Sequence, residues 1–336
     1  MNTDVTKIRT NNPGNGKKLL SSSIGIEAIG LFAFYFFIIL FFSITTENFF
    51  STSNALNILD NIAVLGIVAI GQVFVLITGG FDLSVGGIVP LGGVLFVSLS
   101  NAGLDTITAI LLVVIVGGLV GLINGVFVTK FKINPLITTL GTLSITAGLA
   151  KVITGGLTTI LENPNASVIA DKVFGIPIHV IILIVFSAVG FFILRYTSFG
   201  RSLYAIGGNQ EASRLAGIRV NLNINIVFII CGFLAAFAGI VLASQLMAGS
   251  GTMGVETNLK SITAVILGGA SLAGGRGGII GTLVGVLILG TLTNGMAILQ
   301  IQAFYQEIVT GIVLLLAINF NNLRDFLNTK IKFNRG

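Results

Sequence analysis

The sequence predicts an all-α polytopic membrane protein of about ten transmembrane helices, with both termini cytoplasmic. Three observations carry this. Of 336 residues, 54% are hydrophobic and 9% are charged, against roughly a quarter charged in an ordinary soluble domain. Mean hydropathy is +1.02, so too few polar side chains exist to wet a globule. The apolar residues also fall in runs near the roughly 20 that cross a bilayer as a helix, without the period-two alternation of an outer-membrane barrel. A single cysteine, Cys231, excludes a disulfide scaffold. The net charge of +6 comes from few groups and reflects membrane orientation better than nucleic-acid binding.

The first apolar run, near Ile24 to Ile44, follows Lys7, Arg9, Lys17 and Lys18. A secretory signal begins in the same way, but its apolar core has only about 7–15 residues and ends at small residues. This run is longer and ends in Thr45-Thr46-Glu47-Asn48, so it reads as a retained helix. Further spans are expected near Ile58–Thr78, Val85–Ser100, Ile107–Val128, Pro135–Thr154 and Ile176–Arg195. The last four are expected near Ile224–Ala248, Ser261–Gly274, Gly278–Ile298 and Ala303–Ile318. The third and eighth are short and glycine-rich.

Alternating ten spans from a cytoplasmic N-terminus puts fifteen Lys and Arg inside. They are Lys7, Arg9, Lys17, Lys18, Lys130, Lys132, Arg195, Arg201, Arg214, Arg219, Arg276, Arg324, Lys330, Lys332 and Arg335. Only Lys151, Lys172 and Lys260 fall outside, as the positive-inside rule requires. Residues 1–20 and 321–336 are then cytoplasmic tails flanking one transmembrane domain, 21–320, whose longest cytoplasmic loop is 196–221.

Glycine concentrates at span ends and interfaces, where small residues let membrane helices approach closely. Gly117, Gly118 and Gly121 read as such a stripe. Two glycine-rich breaks stand apart, Gly79–Gly87 and Gly268–Gly278. Asn124-Gly125 followed by Gly141 lies 170 positions before Asn294-Gly295 followed by Gly311. The two sets fall on spans of opposite direction, a possible inverted repeat of the kind that builds transporters.

No phosphate-binding loop of the Gly-x-x-x-x-Gly-Lys-Ser/Thr type occurs, so the chain is not expected to hydrolyse ATP, and no cofactor is expected on it. One histidine, His179, and one cysteine do not make a zinc set. His179 reads as an interfacial side chain and Cys231 as core filling. An aspartyl-protease reading of Gly80-Phe81-Asp82 lacks a second embedded aspartate, Asp60 being too near a span end. Glu27 lies at the first span's inner end, and Glu307 lies in the tenth beside Gln302 and Gln306. Asp82 has two readings, an N-cap for the third span and a lining residue of a path. No chain of embedded charges suggests an ion relay, which weakens a secondary carrier.

In the long loop, Asn209 is placed to cap a helix of about two turns, with Glu211 and Ala212 favoured in its first turn and Gly217 stopping it. Together with Asn48–Leu59, Gly71-Gln72, Thr78–Gly86, Ile137–Gly141, Gly200–Ile218 and Ile266–Gly277, this loop resembles the permease subunits of ribose-type sugar ABC importers. The resemblance implies two membrane subunits, identical or related, paired with two ATP-binding subunits that hold ATP and magnesium. An extracytoplasmic sugar-binding protein completes the set, in the bacterial cytoplasmic membrane. It also implies that Gly207, Asn209, Glu211, Ala212, Arg214 and Gly217 couple the ATPase to the spans. Asp82 and Ser84 become candidate gate residues, and Gln72, Asn124, Thr138 and Thr142 candidate polar groups of the path. One departure is Asn258-Leu259-Lys260, with Glu256 nearby, where the family carries an acidic pair around a leucine. Permeases for nucleosides or branched-chain amino acids, and a free-standing carrier, are the alternatives.

Overall fold

The computed structural model describes residues 14–163, 166, 169 and 171–333, with side chains described between 30 and 319. The basic residues expected at either extreme, and Glu27, lie outside the described side chains. Among the described residues helices dominate. They are α1 (Gly14–Thr45), α2 (Thr52–Ile77), α3 (Val85–Asn101), α4 (Thr106–Thr129), α5 (Pro135–Thr154) and α6 (Ile178–Tyr196), then α7 (Ser198–Gly208), α8 (Gln210–Leu215), α9 (Val220–Leu246), α10 (Thr257–Leu267), α11 (Ile279–Ile298) and α12 (Ala303–Phe333). Four two-residue strands form two small antiparallel pairs: β1 (Thr159–Ile160) with β4 (Ala248–Gly249), and β2 (Lys172–Val173) with β3 (Ile176–Pro177).

Among the described residues, six helices are long and apolar enough to cross a membrane: α2, α4, α5, α6, α9 and α11. α3 and the segments 30–45 of α1 and 303–319 of α12 are shorter apolar helices. The starts follow local chemistry. Ser51 and Asp105 cap α2 and α4 by accepting the N–H of Asn54 and Thr108, and the Thr108 amide holds the Asp105 carboxyl below its usual range. Asn134 caps α5, with Pro135 in the first turn, and Gly155 ends it in the left-handed conformation at φ 61°.

α2 and α9 form the buried centre, and α4, α5 and α6 turn much of their surface outward as exposed Ile, Leu and Phe. That apolar exterior suits a hydrocarbon solvent. Glycine sets the closest approach. A Cβ on Gly125 would lie 2.9 Å from Asn225 Cα, and Gly117 and Gly121 abut the backbone of Gly232 and Phe228. The stripe is therefore 117/121/125, one residue every fourth position; Gly118 has only the Ile229 methyl, at 3.7 Å, nearby.

Shifted by 170 positions, α2–α5 fall on α9–α12 within three residues at every start. α3 and α10 occupy equivalent places and meet at their first turns. A Cβ on Gly86 would lie 2.7 Å from Val255 O and 3.0 Å from the Asn258 side chain. From there α3 leads to the end where Asn101 bonds Ile160 O and the Glu162 amide. α10 leads to the opposite end, where the Gly275 N–H donates to Ile77 O. The eighth expected span, Ser261–Gly274, is thus corrected: its helix stops at Leu267. Gly268 must lie flush against the Gly281 backbone, and Gly269 and Gly274 take φ of 91° and 84°, which a continuing helix forbids.

Candidate functional site

The chain leaves α2 at Thr78, turns through Gly79 at φ 80°, and enters α3 after Ser84, a break deep in the bundle. Asp82 and Ser84 are both fully buried. Asp82 Oδ1 accepts from the Ser84 N–H at 3.0 Å and from the Ser84 hydroxyl. This is a local aspartate turn that takes the Ser84 amide, rather than a cap of the next helix turn: the residue at the N-cap position is Ser84, and its side chain caps nothing.

A chain of hydrogen bonds leads outward from this turn. Asn124 Nδ2 of α4 donates to Ser84 Oγ at 2.8 Å, and Thr142 Oγ1 of α5 donates to Asn124 Oδ1 at 2.6 Å. From α2, Gln72 Nε2 donates to the Asp82 carbonyl, and the Cys231 thiol of α9 reaches the Asp82 carboxyl. Five of the six polar residues singled out for a path, Gln72, Asp82, Ser84, Asn124 and Thr142, therefore form one connected cluster across four elements. Thr138 lies one turn before Thr142 on α5; its carbonyl accepts from the Thr142 hydroxyl at 2.9 Å, but its own hydroxyl is not bonded into the cluster. Gln72 Oε1, Asp82 Oδ2 and Thr138 Oγ1 are buried without a partner among the described residues. Such atoms are costly unless something else meets them.

At the end reached by α10, three backbone segments converge. The Gly275 N–H donates to Ile77 O at 2.8 Å, and Gly207 of α7 sits against both Ile77 and Gly275. A Cβ on Gly274 would lie 2.8 Å from Gly79 N and 3.0 Å from Gly207 Cα. Tyr204 Oη donates to Gly277 O at 2.9 Å. Both glycine breaks thus rest on one short helix.

The loop 196–221 holds two helices rather than the single one expected. α8 is as read: Asn209 Oδ1 accepts the Ala212 N–H at 2.9 Å, Glu211 sits in the first turn, and Gly217 takes φ 82°. α7 was not anticipated, although its Thr197 cap and the buried Leu203 and Ile206 are a helical signal. In α8 only Ser213 is buried; Asn209, Glu211, Ala212, Arg214 and Gly217 are all exposed, and Leu215 is 82% exposed. Glu211 and Arg214 pair loosely at 3.5 Å.

His179, expected as an interfacial side chain, is the second residue of α6 and 1% exposed, with Nε2 2.5 Å from Asp60 Oδ1 and 3.2 Å from Gln245 Nε2. This cluster ties α2, α6 and α9 together at the end opposite α8. Near the departure at Asn258-Leu259-Lys260, Lys260 pairs with Glu256 at 3.7 Å along α10.

Comparison with known proteins agrees with this architecture. A family described as "Branched-chain amino acid transport system / permease component" matches residues 54–318. The ribose import permease protein RbsC of Bacillus subtilis is 40% identical over 296 residues, 87% of this chain and 92% of that protein. RbsC of Escherichia coli K12 is 37% identical, covering 83% of this chain and 89% of its own length. The D-allose transport system permease protein AlsC of E. coli K12 is 33% identical, covering 94% and 98%. No solved structure matches. With its apolar helices and this match over most of its length, the chain is a multi-pass protein of the cytoplasmic membrane and belongs to the branched-chain amino acid transport system permease component family.

Proposed function

We propose that this chain is the membrane-spanning subunit of an ABC importer that carries a monosaccharide, ribose or a similar pentose or hexose, into a bacterial cell. Two such subunits, identical or related, would pair with two ATP-binding subunits, which hold the ATP and magnesium, and with an extracytoplasmic sugar-binding protein. The family description mentions branched-chain amino acids, but relatives covering most of this chain are named for ribose, arabinose and allose, which favours a sugar.

The observation that carries the mechanism is the junction of Ile77, Gly207 and Gly275. The exposed α8 offers Asn209, Glu211, Ala212, Arg214 and the Leu215 knob to a partner groove. Closure of the ATPases moves α8, and α7 passes that motion on because Gly207 touches the ends of both breaks at once. Packed interfaces transmit small shifts as discrete rearrangements. On this reading the end carrying α8, with Lys130, Lys132, Arg195, Arg201, Arg214, Arg219 and Arg276 on its connections, faces the cytoplasm. Ten membrane-embedded helices and two cytoplasmic termini then follow, and the shift of 170 positions relates halves of opposite direction, an inverted repeat. With α3 and α10 as opposed half-helices, the Asp82–Ser84 break would lie near mid-depth. There Gln72, Thr138 and Asp82 hold polar atoms that a moving hydroxyl can meet briefly, as weak serial contacts require.

Uptake of labelled sugars by cells lacking the chromosomal copy and complemented with this chain tests the substrate. Saturable uptake of ribose or a related sugar is expected. Uptake of nucleosides or branched-chain amino acids instead, at the same membrane abundance, defeats the sugar assignment.

A further inference from the structure

A cavity of about 370 Å³ opens at the α8 end, between α6, α7 and the start of α11. Arg195 of α6 and Arg201 of α7 face into it, with Tyr204, Phe191, Gly278 and Ile280 completing the wall. The volume is within the range of small-ligand sites. Among the described residues neither guanidinium makes a hydrogen bond or an ion pair. Two like charges lining one hollow repel each other, and an anion lying between them offsets that repulsion. Tyr204 cannot supply that charge, since burial pushes its phenol up and its hydroxyl is already donated to Gly277 O. α11 begins after Gly278 with no side-chain cap, so the amides of its first turn add to the positive field.

Two of the helices that wall the hollow also carry exposed apolar side chains. Ile184, Val185 and Phe192 of α6 and Ile280 of α11, the last also lining the hollow, are all more than half exposed. A basic hollow with exposed apolar side chains on the same two helices suits an anionic amphiphile.

We propose that this cavity binds one anionic phospholipid, its phosphodiester held by Arg195 and Arg201 and its acyl chains lying along the exposed face of α6. Guanidinium forks match phosphate oxygens, and basic pockets between membrane helices suit such headgroups. The lipid ties α6, α7 and α11 together beside the junction through which α8 acts. Its place in the inner leaflet rests on the orientation proposed above; the site itself does not.

Native mass spectrometry of the full-length chain in neutral detergent tests this, titrating phosphatidylglycerol against phosphatidylcholine. One phosphatidylglycerol is expected to bind in preference to phosphatidylcholine and to resist displacement by inorganic phosphate. Each arginine near an anionic headgroup is worth roughly five-fold in binding, so R195Q/R201Q should weaken it by roughly 25-fold. R219Q, at the same end but outside the cavity, should leave it unchanged. Equal weakening by R219Q, unchanged binding in the double variant, or displacement by inorganic phosphate each overturns the proposal, the last by identifying a free-phosphate site. Should the glutamine pair not fold, R195K/R201K is read in its place. It keeps the charge and loses the fork, so a several-fold weakening is expected and unchanged affinity overturns the assignment.

Discussion

Gly207→Ala tests the proposed coupling junction against its neighbour Gly208→Ala. A methyl at 207 would fall inside the contact distance of Ile77 O and Gly275 N and stand 3.0 Å from the Ile77 carbonyl carbon, whereas at 208 nothing lies within 4 Å. Both obstacles at 207 are backbone, and Ile77 O already accepts from the Gly275 N–H at 2.8 Å, so neither yields by turning a side chain. Relief needs a translation of about an ångström between α7 and the two breaks, and overpacking of this kind costs about 1–3 kcal/mol. Both substitutions relieve the same chain of glycine's flexibility, so helix propensity favours each by up to about 1 kcal/mol, and the difference isolates the contact. ATP-dependent sugar uptake at matched membrane abundance, with thermal melting of the purified protein, is the assay. Gly207→Ala is expected to lose most uptake and some stability, and Gly208→Ala to stay near wild type. Equal behaviour of the two variants would refute the argument that α7 bears on both breaks through Gly207.

Other expectations follow from the same packing. Asn124→Leu removes the bonds to Ser84 and Thr142; at about 0.6–1.7 kcal/mol per bond within a membrane bundle, melting should fall measurably and uptake with it. Gly121→Ala should destabilise the α4–α9 contact by about 1–3 kcal/mol, while Gly118→Ala, three positions away, should not; comparing the two by thermal unfolding in detergent checks the register of the stripe. Loss of the His179 contact to Asp60 by His179→Leu should loosen the end opposite α8, seen as faster proteolysis of the loop before α6, with α8 unaffected.

Much of this fold was legible because bilayer spans announce themselves by length and apolarity, and because caps are local. Asn134-Pro135, Gly155 and the Asn209–Gly217 helix lie where residue type alone places them. What escaped was set by partners distant in sequence. α7 is short, so its helical signal, the Thr197 cap with Leu203 and Ile206 three apart, is brief, and what buries those two side chains lies on other elements. The end of α10 depends on Gly281 pressing against Gly268, and the switch from Gly118 to Gly125 in the stripe depends on which face α9 presents. The His179–Asp60–Gln245 cluster joins three helices, so no single window of sequence reveals it. The polar cluster around Asp82 was legible as a set of residues; its connectivity was not, because hydrogen bonds between four elements require the fold.

The most direct test of the central claim is ATP-dependent ribose uptake by cells expressing the partner ATPase and binding protein with either wild-type chain or Glu211→Arg, at equal membrane abundance. Glu211 is exposed, in the first turn of α8, and among the described residues its only ion pair is the loose one to Arg214, so reversing its charge disturbs docking rather than folding. The account predicts normal insertion with uptake lost in the variant and present in the wild type. Undiminished uptake by Glu211→Arg would contradict the assignment of α8 as the element that the ATPase drives.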